Sequence, residues 1–210
     1  AEVSGAPEPL PTSLAGLGRG AREWWGAGAT RCTSRDATPT RRAIHYTVTP
    51  SENPARQVRA VQAYHMDTRR WCDVGYHFLV TTDGTVWEAR EAIYLGAHVA
   101  NENTGNVGVS FVGCFHPGDS TCDMPEFQPN VPPEVMIQGG GNVLGLLKNE
   151  YGIVVDDTTV LGHRDHAGAQ TSCPGDALYA ELGRLRDIAN GVNPGPDVGT
   201  INGVVWDASV

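Results

Sequence analysis

The sequence predicts an α/β domain from three observations: short runs rich in β-branched and aromatic residues, longer stretches with apolar residues at helical spacing, and the alternation of the two along the chain. Residues 41–48 read as a strand and residues 55–69 as a helix, with Pro54 at its first position and Val58, Val61 and His65 three and four apart. Residues 76–82 and 85–88 are two strand-like runs joined by Asp83-Gly84, a strong hairpin signal. The Val and Phe content of residues 107–113 predicts a buried strand. Residues 133–151 read as a helix despite Gly139, Gly140 and Gly141. A last helix is expected from an Asp176 cap to Asn190, with Leu178, Leu182, Leu185 and Ile188 as its apolar stripe and Gly191 past its end.

These elements place one domain at residues 21–191. Residues 1–20, rich in Pro, Gly and Ser, are expected to be a flexible arm, and a start at Ala1 reads as a processed or truncated product. Residues 192–200 are expected to be a linker, and residues 201–210 either a docked tail or the first strand of a further domain. There is no internal repeat.

The chain has 210 residues, 40% hydrophobic and 19% charged, enough for one domain with a substantial core. A net charge of -9 with scattered arginines argues against nucleic acid as a partner. No run of apolar residues is long enough for a membrane span, and nothing suggests an oligomer, so a monomer is expected. The five cysteines leave one thiol over if the others pair in an oxidising compartment. Cys114 and Cys122 flank a short loop holding Pro117, Gly118 and Asp119 and are the first candidate pair. Cys32 with Cys72 would then be the second, although other connectivities are open, as is a cytosolic enzyme with every thiol reduced.

The densest chemistry lies in Leu161-Gly-His-Arg-Asp165 and Ser172-Cys-Pro-Gly-Asp176, both in loops ahead of a helix. His and Cys suit Zn²⁺, and a catalytic zinc takes three protein ligands with a fourth position open. His163 and Cys173 therefore call for a third ligand, and His45, mid-strand among apolar neighbours, is the candidate. Each also has an ordinary reading: a hydrogen-bonded core histidine, a disulfide partner, a loop salt bridge.

Taken together, Arg22-Glu-Trp-Trp-Gly-Ala27, Ile44-His-Tyr-Thr47, Tyr64-His-Met66, Trp71-Cys-Asp-Val-Gly-Tyr-His-Phe78, Gly96-Ala-His98, Val107-Gly-Val-Ser-Phe-Val-Gly113, Gly162-His-Arg-Asp165 and Cys173-Pro-Gly-Asp-Ala-Leu-Tyr179 resemble, in order, the type 2 N-acetylmuramoyl-L-alanine amidases and peptidoglycan recognition proteins. The resemblance covers roughly residues 22–190. It implies a central mixed β-sheet flanked by helices, one Zn²⁺ held by His45, His163 and Cys173, and hydrolysis of the amide between N-acetylmuramic acid and L-alanine in peptidoglycan or its muropeptides. A secreted or periplasmic location follows from that substrate. Asp165 is expected to support the ligands from behind.

The same resemblance makes Tyr76 and Thr171 catalytic, the phenol able to hydrogen-bond the attacking water or the developing oxyanion. Ser110 stands where cell-wall recycling relatives carry a catalytic Glu, so no carboxylate is assigned as general base. His65, Arg69, Trp71, His98 and Asn103 match groove positions, with polar groups suited to a stem peptide's carbonyls and carboxylates. Arg70-Trp71 replaces the Gly-Trp of members that favour diaminopimelate-type stems, so half of that signature survives. Three rivals remain: a recognition module without activity, a cysteine peptidase using Cys173, and a structural zinc site. Retention of Cys173 favours the enzyme over the recognition module, because inactive lineages replace that ligand.

Overall fold

The computed structural model describes residues 21–191, together with the backbone of residues 199–201 and 204–206. Seven strands form one mixed sheet in the order β5-β1-β4-β2-β3-β6-β7. β1 (Arg41–Tyr46) lies between β4 (Asn106–Phe111) and β5 (Val160–Gly162), parallel to both. β2 (Phe78–Val80) is parallel to β4 and antiparallel to β3 (Val86–Glu88), which gives the hairpin expected around Asp83-Gly84.

Side chains alternate across a strand, so each face of the sheet has its own set. Ile44, Phe78, Val80, Val107, Val109 and Phe111 pack beneath α2 (Glu134–Tyr151) and α4 (Leu182–Ala189). On the other face Val58 and Val61 of α1 (Pro54–Ala63) pack with Leu79, Val74 and Trp25. His45 and Ser110, out of phase with the first set, are register partners on adjacent strands.

The three consecutive glycines of α2 are there because neighbours come too close for side chains. A Cβ at Gly139 would lie 2.3 Å from the Gly84 carbonyl oxygen, and one at Gly140 would lie 2.4 Å from the Phe111 ring. Packing against the hairpin and β4 thus outweighs low helix propensity.

Several elements differ from expectation. The helix expected over 55–69 ends as α-helix at Ala63 and continues as a π-helical turn, Tyr64–Thr68, which carries His65. The helix expected from Asp176 to Asn190 is broken at Glu181 into α3 (Asp176–Ala180) and α4, while the stripe from Leu178 to Ile188 is buried as expected. Asp176 does not cap it: Gly175 precedes the first turn, whose N–H groups go to the Phe115 carbonyl from Ala177 (3.1 Å) and to His116 Nδ1 from Asp176 (3.1 Å). β5, only three residues long, was too short to show a sequence pattern. The expected arm and residues 192–198 of the expected linker lie outside the described residues. Gly199 and Thr200, placed in that linker, instead open β6 (Gly199–Ile201), which pairs with β3 at Val86 and with β7 (Val204–Trp206). Both disulfides pair as anticipated, Cys32 with Cys72 and Cys114 with Cys122, leaving Cys173 buried and unpaired.

The glycine packing gives a paired test. Gly139→Ala should lower unfolding free energy by about 1–3 kcal/mol through overpacking. Gly183→Ala on α4, where a Cβ meets nothing within 4 Å, should raise it by up to about 1 kcal/mol. Urea denaturation of both variants checks the contrast.

Candidate metal centre and cleft

Three loops and strand ends converge at the carboxyl end of β1. His45 is its fifth residue, His163 follows β5 directly, and Cys173 lies in the loop before α3. Their ligand atoms all lie within 4.8 Å of one another, with His45 Nδ1 3.6 Å from Cys173 Sγ and the His45 and His163 rings 4.6 Å apart. Ligands around a tetrahedral zinc, at about 2.0–2.3 Å from the ion, stand about 3.5 Å apart, so two imidazoles and a thiol at this spacing fit Zn²⁺ with little movement. The cluster has three such residues among those described, not the four that close a structural site.

The electrostatics of the two histidines suit ligation. Burial, then the neighbouring His98 and His163, holds His45 well below the usual imidazole range, and burial likewise lowers His163. Both are therefore neutral at pH 7, the ligating form. Burial pushes the Cys173 thiol up to about 12. An activated cysteine nucleophile needs the opposite shift, which counts against the peptidase reading.

The loop carrying Cys173 is tightly held. The Arg164 guanidinium donates to the carbonyls of Ser172 and Cys173, pairs with Asp176 at 2.7 Å and lies 4.6 Å over the Tyr179 ring. Thr171 Oγ1 accepts the Cys173 N–H at 3.1 Å, and Tyr46 reaches Ser172 at 3.3 Å. Asp165, expected behind the ligands, instead accepts from the Gly162 N–H and from the Tyr179 hydroxyl, fixing the turn that presents His163. Glu102 and His166, which the sequence did not single out, join at 2.8 Å and tie the loop after His98 to the loop after His163. Arg164 had a signal, lying inside the Gly162–Asp165 motif, but Glu102 and His166 are far apart in sequence and had none.

Beside the cluster runs a cleft lined by Thr47, Thr49, Val61, Tyr64, His65 and Tyr76. The Tyr76 ring is 5.1 Å from that of His45, and burial raises its pKa, so the phenol stays protonated. His65 Nδ1 accepts the Gly75 N–H at 3.1 Å, and burial lowers its pKa to about 4. A neutral His65 therefore carries its proton on Nε2. Trp71 stacks on His65 at 4.7 Å, with the Arg69 guanidinium 5.2 Å over Trp71.

Two residues expected on the groove are engaged elsewhere. Both ring nitrogens of His98 are taken, by His45 at 3.0 Å and by the Asn106 carbonyl at 2.9 Å, and Asn103 Oδ1 accepts the N–H groups of His98 and Val99.

The family described as N-acetylmuramoyl-L-alanine amidase matches residues 35–176, more than half of the chain. The chain belongs to this family, whose members here are peptidoglycan amidases or peptidoglycan recognition proteins. It is 35% identical over 161 residues to peptidoglycan recognition protein 1 of Bos indicus, covering 74% of this chain and 77% of that one. It is 31% identical over 159 residues to the N-acetylmuramoyl-L-alanine amidase of Homo sapiens, covering 73% of this chain but 25% of the relative. Peptidoglycan recognition protein-LE in complex with tracheal cytotoxin, a monomeric diaminopimelic acid-type peptidoglycan, superposes with a TM-score of 0.65 at 25% identity, covering 81% of this chain and 94% of that one.

The buried histidines set a pH limit. His77 is 1% exposed, donates from Nε2 to the Tyr94 carbonyl and accepts the Gly108 N–H at Nδ1. Burial lowers its pKa to about 4, against an unfolded value of about 6.5. Between these values the unfolded chain binds a proton that the folded chain refuses. Stability is therefore full above about pH 6.5 and declines towards pH 4, by roughly 3 kcal/mol for this residue. Urea unfolding from pH 7.5 to 4 should show the decline, and His77→Gln should make it shallower, the other buried histidines keeping the rest; an unchanged slope would refute the assignment.

Proposed function

We propose that this chain is a zinc-dependent N-acetylmuramoyl-L-alanine amidase of the extracytoplasmic space that hydrolyses the bond between the lactyl group of N-acetylmuramic acid and L-alanine. The observation that carries this reading is the cluster of His45, His163 and Cys173, three donors spaced for one zinc beside a cleft that Tyr76 and His65 line. The two disulfides support an oxidising compartment, secreted or periplasmic. No helix among the described residues is long and apolar enough to cross a membrane.

When bound, zinc supplies Lewis acidity, which polarises an amide carbonyl and brings the pKa of a water towards neutrality. The chain supplies the rest. Neutral His45 and His163 and the Cys173 sulfur hold the ion, and the loop bonds from Arg164 and Thr171 fix the sulfur's position. Tyr76, kept protonated by burial, donates a hydrogen bond to the charge that develops on the amide oxygen. Thr171 uses its oxygen to accept the Cys173 N–H, and its own proton remains available to the leaving group or the carbonyl. His65, with its proton on Nε2, offers a donor to a stem-peptide carbonyl, and Trp71 and Arg69 brace it from behind. Ser110 brings no carboxylate, so the phenol and the metal carry the burden that a Glu carries in recycling relatives.

The test is incubation with purified peptidoglycan and soluble muropeptides, following free stem peptides that begin with L-alanine by mass spectrometry. Release should stop with a zinc chelator and return with added zinc. Cys173→Ala should lose both zinc and activity, while Tyr76→Phe should keep zinc and lose on the order of 10²-fold in kcat, the usual cost of removing one oxyanion donor. Tight binding of muropeptides without release would make the chain a recognition module.

A further inference from the structure

We infer that His98 is a positioning residue that fixes the proton of His45 on Nε2 and so turns the bare Nδ1 lone pair towards Cys173 and the metal. The inference rests on the zinc reading above and adds a role for a residue expected to meet substrate. It follows from hydrogen-bond chemistry without reference to hydrogen positions. The Asn106 carbonyl can only accept, so His98 Nε2, 2.9 Å away, carries a proton. A neutral imidazole has one such proton, which leaves His98 Nδ1 an acceptor. Its partner at 3.0 Å is His45 Nε2, which must then be the donor. The second nitrogen of His45, Nδ1, is left unprotonated, and it is the atom 3.6 Å from Cys173 Sγ.

Packing holds the relay in place. The His98 ring is buried, and it occupies space that side chains at two neighbouring positions would fill: a Cβ at Gly108 would lie 2.7 Å from its Cγ, and one at Gly96 would lie 2.6 Å from its Cδ2. His77 meets the ring edge-on at 5.6 Å and is itself locked between the Gly108 N–H and the Tyr94 carbonyl. Asn103 pins the backbone of His98 and Val99. Both nitrogens of the His98 ring are taken by uncharged groups, an imidazole and a backbone carbonyl, and no carboxylate accepts from it. Partners that orient a metal-bound histidine are typically worth 10–100-fold in metal affinity. Here that partner is a neutral imidazole, and a backbone carbonyl fixes its tautomer.

Two measurements test this on the full chain. In ¹⁵N-labelled protein, both His45 and His98 should be protonated at Nε2, with a scalar coupling across the hydrogen bond from His45 Nε2 to His98 Nδ1. A His98 proton at Nδ1, or no coupling, would overturn the inference without any variant having to fold. Zinc affinity by chelator competition should then fall about 10–100-fold in His98→Leu and stay within a few-fold in His98→Asn, whose amide oxygen keeps the acceptor. Equal affinity of His98→Leu and the parent chain would overturn it. Coupling in a parent chain that binds no zinc would leave the relay standing and sink the metal reading instead.

Discussion

The parallel pairing of β1 between β4 and β5 is the constraint on which the rest of the molecule depends. Register sets Ile44 beside Gly162 and His45 beside Ser110, so the residue after β5, His163, arrives next to His45. Because alternate residues of a strand face opposite ways, a slip of one position would bury His45 under α2 and put Ile44 in the cleft. The pairing is defended by burial: all of β4 and the four central residues of β1 are inaccessible, and Arg42 spans from β1 to the carbonyl of Val154. A buried guanidinium there costs desolvation, which lowers its pKa to about 10, and its contact with residues 153–154 holds the segment leading to β5.

From that frame the site is assembled by tethers on loops. The Cys173 loop is clamped by Arg164 from one side and by the Cys114–Cys122 segment from the other, through Phe115 and His116. A second set of bonds organises the floor: Arg22 and Gln62 hold Asp73, and Arg90 holds the carbonyls of Asp73 and Val74, just before Gly75 and Tyr76. Charged groups thus hold the two loops that carry chemistry, partly exposed at Arg164 and Asp176 and buried at Asp73 and Arg90, while the hydrophobic layers under α2 and α4 supply the stability against which they are held. Neutral histidines complete the pattern, with His45, His77 and His98 each kept uncharged by burial.

Much of this was legible in the sequence. The strands around Asp83-Gly84, the stripe from Leu178 to Ile188 and the donors His45, His163 and Cys173 could be named from residue type, spacing and family resemblance. What was not legible depends on contacts between distant residues. The break of the last helix at Glu181 had no local signal, and the helix's first turn, at Asp176 and Ala177, is held by His116 and Phe115, sixty residues earlier. The glycines of α2 look unfavourable until Gly84 and Phe111 are seen against them. His98 was read as a groove residue because its motif says only that a histidine is present, whereas its partners, His45 and the Asn106 carbonyl, decide which way it faces. The Glu102–His166 tether had no local pattern at all.

The central claim is a three-ligand zinc with an open position, and zinc-edge X-ray absorption on the zinc-loaded chain tests it most directly. The account predicts one equivalent of zinc with a single sulfur at about 2.3 Å, two imidazole nitrogens at about 2.0–2.1 Å and one further light donor not supplied by the protein. Absence of sulfur from the shell, four protein ligands, or failure to hold one equivalent of zinc would contradict it.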